Sequence, residues 1–313
     1  MGKIKLALLF GGISSEREVS LSGGYEVYEA LDKEKYDITK YDPATDLEQL
    51  VKDAESIDAA LLILHGPYGE DGTVQGLLEL LDIPYQGAGV LGSALAMNKL
   101  ASKRMYEQAG IPVPAYLDFA KGETVDIHGC VQTLGLPIVV KPASAGSSVG
   151  MTIVKQEKDL EAAIAKAFDQ DETILLEAYV KGLELTCAVL GNQEVEALPV
   201  IEIIPGEGHE FFDYEAKYVA GRTQEICPAR IDDSVRDRVQ ELAVAAHKIL
   251  FLRGYSRTDV ILSDQGVMVL ETNTIPGMTE TSLLPRAAKV GGYPFPKLLD
   301  RLIELSMEKR SAV

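Results

Sequence analysis

Ile4–Phe10 is a short, nearly continuous apolar run that stops at Gly11-Gly12. A strand that is apolar on both faces needs cover on both faces, as in a parallel sheet flanked by helices. Ser15-Glu16-Arg17-Glu18 follows and has capping-box form, with Ser15 as cap and Glu18 three residues on. Val19, Tyr25, Tyr28 and Leu31 are then predicted to line one helix face. Tyr36–Tyr41 and Ala59–Leu64 read as further strands, Thr73–Leu81 as a helix, and Pro84-Tyr85 as the entry to a short strand. This βαβ rhythm predicts a small open parallel sheet. Ligands of such sheets sit beyond the carboxyl ends of the strands, which here are Gly11–Glu16 and His65–Gly72.

From Asn98 the texture changes. A basic helix, Asn98–Gln108, ends at Gly110, and Ile111-Pro112-Val113-Pro114 is an extended linker. Pro137–Pro142 and Val149–Val154 are strands around a Gly/Ser loop. Lys158–Phe168 is helical, and strands follow at Thr173–Glu177, Leu183–Leu190 and Val195–Ile203. A long helix, Asp233–Phe251, precedes a hairpin at Thr258–Asn273, and a helix at Pro296–Glu308 comes last. The fold class expected is α/β followed by α+β.

With 313 residues, the chain has length for about two domains or three small ones. Its 30 basic and 48 acidic residues leave a net charge of −18. So acidic a chain is a poor match for nucleic acid or anionic membrane, both of which need a basic face. No apolar run approaches the roughly 20 residues that span a bilayer, and the N-terminal run is too short and wrongly flanked for a signal peptide. Cys130, Cys187 and Cys227 are odd in number and far apart, which fits a reducing cytoplasm better than a disulfide framework. The four histidines make no HxxxH or HExxH pair, which argues against a zinc enzyme.

The sharpest chemistry lies in the hairpin. With a three-residue loop Asp264–Gly266 and Gly266 left-handed, Ser263 pairs with Val267 and Asp259 falls opposite Glu271. Alternation puts Asn273 on the face of Glu271 and Arg257 on the face of Asp259. Two carboxylates and an amide oxygen beside a guanidinium suit Mg²⁺ bridging phosphates. A solvated cross-strand pair is the competing reading. The loop Lys141–Gly150 is small enough for backbone N–H groups to approach a phosphate, with Lys141 to neutralise charge. It is no Walker A motif, and an ordinary hairpin loop is the alternative. Gly11-Gly12-Ile13-Ser14-Ser15-Glu16 fails the dinucleotide fingerprint. His65 alone reads more simply as a loop histidine than as a ligand. Asp213–Tyr218, flanked by glycines, is either a mobile lid or a surface loop. Cys187 is expected to fill core.

Taken together, these segments resemble the D-alanine–D-alanine ligase family of the ATP-grasp superfamily, along essentially the whole chain. The matching stretches are Gly11–Leu21, His65–Gly72 (HG-x-x-GEDG), Val140–Gly150, Asp213–Tyr218 (DYEAKY), Arg257–Asp259 and Glu271–Thr279. Ser144-Ala145 departs from many relatives, which carry charged or bulky residues there. The resemblance implies a small open parallel-sheet N-terminal domain followed by a two-part ATP-grasp fold. Its three parts would be 1–96, 97–180 and 181–313, the last two gripping ATP between antiparallel sheets. The implied activity is that of a cytoplasmic, ADP-forming carbon–nitrogen ligase. It would join two D-alanines through a D-alanyl phosphate for peptidoglycan precursors, and so serve cell-wall biogenesis and cell shape.

By the same resemblance, Lys99 and Lys141 contact the α- and β-phosphates, Glu177 and Glu184 hold adenine and ribose, and Lys217 reaches the γ-phosphate. Asp259, Glu271 and Asn273 hold two Mg²⁺, with Mn²⁺ as a substitute. Arg257 and the Gly277 N–H form the oxyanion site. Glu16 pairs with the ammonium of the first D-alanine and His65 lies near its carboxylate. Ser147 and Tyr218 join Glu16 in a hydrogen-bonded triad, and Ser282 and Leu283 receive the second carboxylate. Partners are D-alanine and ATP, with a homodimer expected from the family. Two rivals are a related ligase using another amine or hydroxy acid, and a nucleotide-binding regulatory protein with a dead site. Tyr218 argues against the D-lactate version, and intact Arg257, Asp259, Glu271 and Asn273 argue against the dead site.

Overall fold

β1 (Ile4–Phe10) lies between β2 (Tyr36–Tyr41) and β3 (Ala59–Ile63) in a three-stranded parallel sheet. It belongs to a computed structural model that describes residues 2–144, 146, 149–206 and 223–308. The two-sided burial expected of β1 is present. Leu6, Leu8 and Phe10 join a core with α1 (Arg17–Ala30), while Ala7 and Leu9 face Leu50, Leu78 and Tyr85 on the other side. Each buried leucine contributes roughly 1.5–3 kcal/mol. The flanking helices α2 (Leu47–Asp53) and α3 (Thr73–Leu80) supply Leu50 and Leu78. Tyr85 makes a single parallel bridge to Ala60 instead of opening a strand.

α1 differs from expectation at both its cap and its face. Glu16, not Ser15, occupies the N-cap position, because the Ser14 hydroxyl donates to the His65 carbonyl and accepts the Glu16 N–H, which fixes the turn one residue later. Leu31 is buried and Tyr28 packs against the same core as expected, but Tyr25 is exposed and the helix itself buries Ser20, Gly23, Gly24 and Val27. A Cβ on Gly24 would collide with the Phe10 ring, so the helix packs close to the sheet through its small residues.

α4 (Val90–Met97) and α5 (Lys99–Gln108) lead into the second sheet. It holds β4 (Tyr116–Ala120), β5 (Ile138–Pro142), β6 (Thr152–Val154) and β7 (Thr173–Ala178), antiparallel in the order β4-β7-β5-β6. α6 (Ile127–Leu134) and α7 (Leu160–Phe168) cover one face through Cys130, Leu160 and Ile164. β6 begins later than the expected Val149, because Gly150 turns the chain at φ 74°.

The third sheet has six strands. They are β8 (Leu183–Gly191), β9 (Val195–Ala197), β10 (Ile201–Pro205), β11 (Thr223–Ile226), β12 (Gly254–Ser263) and β13 (Gly266–Asn273). Their order is β11-β10-β8-β12-β13, with β9 beside β8. The strands expected near Val195–Ile203 are β9 and β10, separated around Pro199, which has no N–H for a ladder. α8 (Asp233–Ile249) packs on this sheet through Val239, Leu242, Ala243 and Ala246. α9 (Leu283–Val290) and α10 (Phe295–Met307) instead fill the space against the first sheet, so Leu6, Leu8, Ile63, Leu190, Leu284, Leu298 and Leu302 share one core.

The β12–β13 hairpin has a two-residue loop, Asp264-Gln265, with Ser263 opposite Gly266 at φ 106°. The expected pairing of Ser263 with Val267 is therefore off by one. A bulge between Asp259 and Val260 restores the difference, so Asp259 does stand opposite Glu271 and Arg257 opposite Asn273.

Candidate active site

The two antiparallel sheets and the carboxyl end of the parallel sheet enclose a cleft of about 990 Å³. At its centre the hairpin presents the side chains predicted for it. Arg257 donates through Nε and Nη2 to the two oxygens of Asp259, at 2.9 Å each. Thr186 Oγ1 donates to Asp259 Oδ1 at 2.6 Å, and Asn273 Nδ2 to Oδ2 at 3.2 Å. Lys99 Nζ lies 3.8 Å from Glu271 Oε2. Among the described residues no three His, Cys, Asp or Glu side chains cluster as metal ligands. The set here is instead two carboxylates and an amide, and the amide presents its oxygen if turned over. Hard oxygen donors on neighbouring strands, with Lys99 and Arg257 beside them, fit a hard divalent cation that shares its shell with phosphates.

α5 positions the cations. Asn98 caps it, with Oδ1 accepting the Ala101 N–H at 2.9 Å, and Lys99 follows with its own N–H held by the Ala143 carbonyl. That bond ties the helix start to the β5–β6 loop, where Ser144 N–H reaches Asp171. On β5, Lys141 Nζ sits 2.7 Å from Glu177 Oε1 of β7. Burial pushes the Glu177 carboxyl up, but Lys141 and Lys103 outweigh it and hold the group below the usual glutamate range. Glu184 lines the cleft from the opposing sheet.

Glu16, at the start of α1, is buried and faces the cleft beside His65. A Cβ on either Gly66 or Gly146 would fall 2.9 Å from Glu16 Oε2, so both loops reserve room for that carboxylate. Burial lowers the His65 pKa, although the nearby Glu16 charge acts the other way. At the far wall, Ser282 Oγ accepts the Thr279 N–H at 3.2 Å, and the Gly277 backbone passes beside it. Leu283 opens α9 and also lines the cleft.

The cleft thus gathers Glu16, His65, Lys99, Lys141, Glu177, Glu184, Arg257, Asp259, Glu271, Asn273, Gly277, Ser282 and Leu283. Ser147, Lys217 and Tyr218 lie outside the described residues, as does the Asp213–Tyr218 segment. Two residues of the site were passed over in sequence. Glu70 looks like part of a glycine-rich turn, yet it lines the cleft and accepts the Gly66 N–H at 2.7 Å. Burial, then the Glu16 charge, pushes its carboxyl up to about 8. Lys103 sits in a helix that reads only as basic, yet it is wholly buried against Glu177. The only signal for it is its spacing of one helical turn from Lys99.

The chain matches two family models, described as "D-ala D-ala ligase C-terminus" over residues 105–304 and "D-ala D-ala ligase N-terminus" over residues 39–88. It is 56% identical to a D-alanine–D-alanine ligase of Syntrophobacter fumaroxidans, with 98% of each chain covered. A second such ligase, from Desulfotalea psychrophila, is 55% identical, with 98% of this chain and 96% of the relative covered. Among solved structures, the D-alanine–D-alanine ligase of Bacillus anthracis complexed with ATP superimposes with a TM-score of 0.85 at 37% identity, covering 97% of both chains.

Proposed function

The chain belongs to the D-alanine–D-alanine ligase family and is an ATP-dependent ligase that joins D-alanine for peptidoglycan synthesis; we propose that it works through a D-alanyl phosphate formed in the cleft described above. The observation that carries this reading is that one cleft brings these groups together. Glu177, Lys141 and Lys99, the oxygen donors Asp259, Glu271 and Asn273, and Arg257, Glu16 and Ser282 all line it.

In this reading Glu177 and Glu184 take the adenine and ribose, while Lys99 and Lys141 neutralise the α- and β-phosphates. Lys217 reaches the γ-phosphate. Asp259, Glu271 and Asn273 would hold two Mg²⁺, which would supply charge neutralisation for the transferring phosphoryl group. Glu16 binds the ammonium of the first D-alanine, with His65 near its carboxylate, and so aims that carboxylate at the γ-phosphorus. Attack releases ADP and leaves the acyl phosphate. Ser282 and Leu283 hold the carboxylate of the second D-alanine, whose free amine attacks the acyl carbon. Arg257 and the Gly277 N–H stabilise the oxyanion of the tetrahedral intermediate, which collapses with loss of phosphate. By the same reading Ser147 and Tyr218 would join Glu16 in a hydrogen-bonded triad. The parts 1–96, 97–180 and 181–313, a cytoplasmic location and a homodimer belong to the same reading.

Phosphate release on mixing the protein with ATP, Mg²⁺ and D-alanine tests it. Release that depends on D-alanine, with D-alanyl-D-alanine as product, supports the reading. Release only with D-lactate as second substrate points to the related ligase, and no release points to a binding protein.

A further inference from the structure

Lys103 is wholly buried, and its Nζ lies 3.3 Å from Glu177 Oε1 and 5.2 Å from the centre of the Tyr116 ring. Glu177 also pairs with Lys141, so two ammonium groups share one carboxylate oxygen. Both ammonium groups hold the Glu177 carboxyl in its ionised form, with Oε1 itself buried while the residue borders the cleft. Burying a lysine costs several kcal/mol unless the charge is used, and an apolar side chain of that length fills the same space at less cost. The two lysines differ in reach. The Lys141 side chain is 11% exposed and borders the cleft, whereas that of Lys103 is 0% exposed and does not line it.

We propose that Lys103 is a positioning residue for nucleotide recognition. It keeps the Glu177 carboxylate ionised and fixed while Lys141 turns to the nucleotide phosphates. An ionised carboxylate only accepts hydrogen bonds. It therefore favours a purine that offers an exocyclic amine at that edge and opposes one that offers a carbonyl. Without Lys103, a Glu177 left by Lys141 takes up a proton, becomes a donor as well, and loses this discrimination. Burial, only partly countered by Glu177, lowers the Lys103 pKa to about 8, as expected of a dry ammonium held by a single counterion. α5 thus serves both ends of the nucleotide from one face, Lys99 toward Glu271 and Lys103 toward Glu177.

The inference rests on the adenine role proposed for Glu177, and the experiment separates the two. Steady-state KM and kcat are measured with ATP and with inosine triphosphate for the parent, Lys103→Met and Glu177→Gln. Lys103→Met should raise KM for ATP about tenfold, leave kcat within about threefold, and shrink the preference for ATP over inosine triphosphate by about tenfold. If the methionine variant does not fold, Lys103→Gln is read in the same way. A folded neutral variant that keeps the parental preference overturns the inference. If Glu177→Gln also keeps it, the adenine role itself fails; if Glu177→Gln alone loses it, only the role of Lys103 fails.

Discussion

Asp259 and Glu271 stand opposite each other across the β12–β13 ladder, one step outside the bulge where the pairing slips by a residue. The bulge makes this end of the hairpin independent of its turn. Asp259 is held by Arg257, Thr186 and Asn273, while Glu271 is approached by Lys99. Glu271→Gln keeps the shape of the side chain and removes one anionic donor. It should lower kcat by roughly two to four decades with the melting temperature nearly unchanged. Near-parental turnover at saturating Mg²⁺ would overturn the metal role proposed for Glu271.

Gly146→Ala probes the link between the β5–β6 loop and the first sheet. The new methyl carbon would lie 2.9 Å from Glu16 Oε2, its nearest neighbour among the described residues. We expect KM for D-alanine to rise about tenfold or more while KM for ATP changes less, because Glu16 is the group proposed to orient D-alanine and misplacing such a group is costly. Equal changes in both constants would show that the loop, not Glu16, is what moves.

Glu70 gives a pH signature. Burial and then Glu16 raise its carboxyl to about 8, against an unfolded value near 4.5. Between those values the folded chain holds a proton that the unfolded chain has lost, so stability falls as pH rises through this window and levels off above it. Below about 4.5 both states are protonated and the group has no effect. Glu70→Gln removes the titration. Denaturant unfolding from pH 5 to pH 9 should therefore show the variant gaining on the parent with pH, up to about pH 8. A constant difference would mean that Glu70 is ionised throughout.

Tyr106 is a stability probe. Its buried hydroxyl donates to Thr272 Oγ1 at 2.7 Å, and Thr272 in turn meets Thr258 at 3.0 Å. Tyr106→Phe leaves this pair short of a donor and should cost roughly 1–2 kcal/mol. Chemical denaturation measures it, and a loss under a few tenths would mean that the threonines satisfy each other.

The elements that sequence made legible are those whose physical cause is local. β1 shows its two-sided burial in its own residues, and the hairpin shows its acidic end by alternation. Lys103 and Glu70 were not legible because their surroundings come from far along the chain: Glu177 beside one, Glu16 and Ile275 beside the other. α4 escaped because Val90–Met97 is apolar on most sides and carries no amphipathic stripe to announce a helix. The capping box failed for a similar reason. Ser14, next to the expected cap, was already engaged by the His65 carbonyl, a partner that spacing does not reveal.

The shared core of the first sheet has a consequence for how the protein is made. Leu6, Leu8 and Ile63 are covered in part by Leu298, Leu299 and Leu302 of α10. At roughly 5–20 residues per second, synthesis of that helix trails the sheet by roughly 10–50 s. During that interval one apolar face of the earliest sheet has no native cover. The parallel sheet is thus made well before its cover from α10, so this face is where a holding chaperone would be needed.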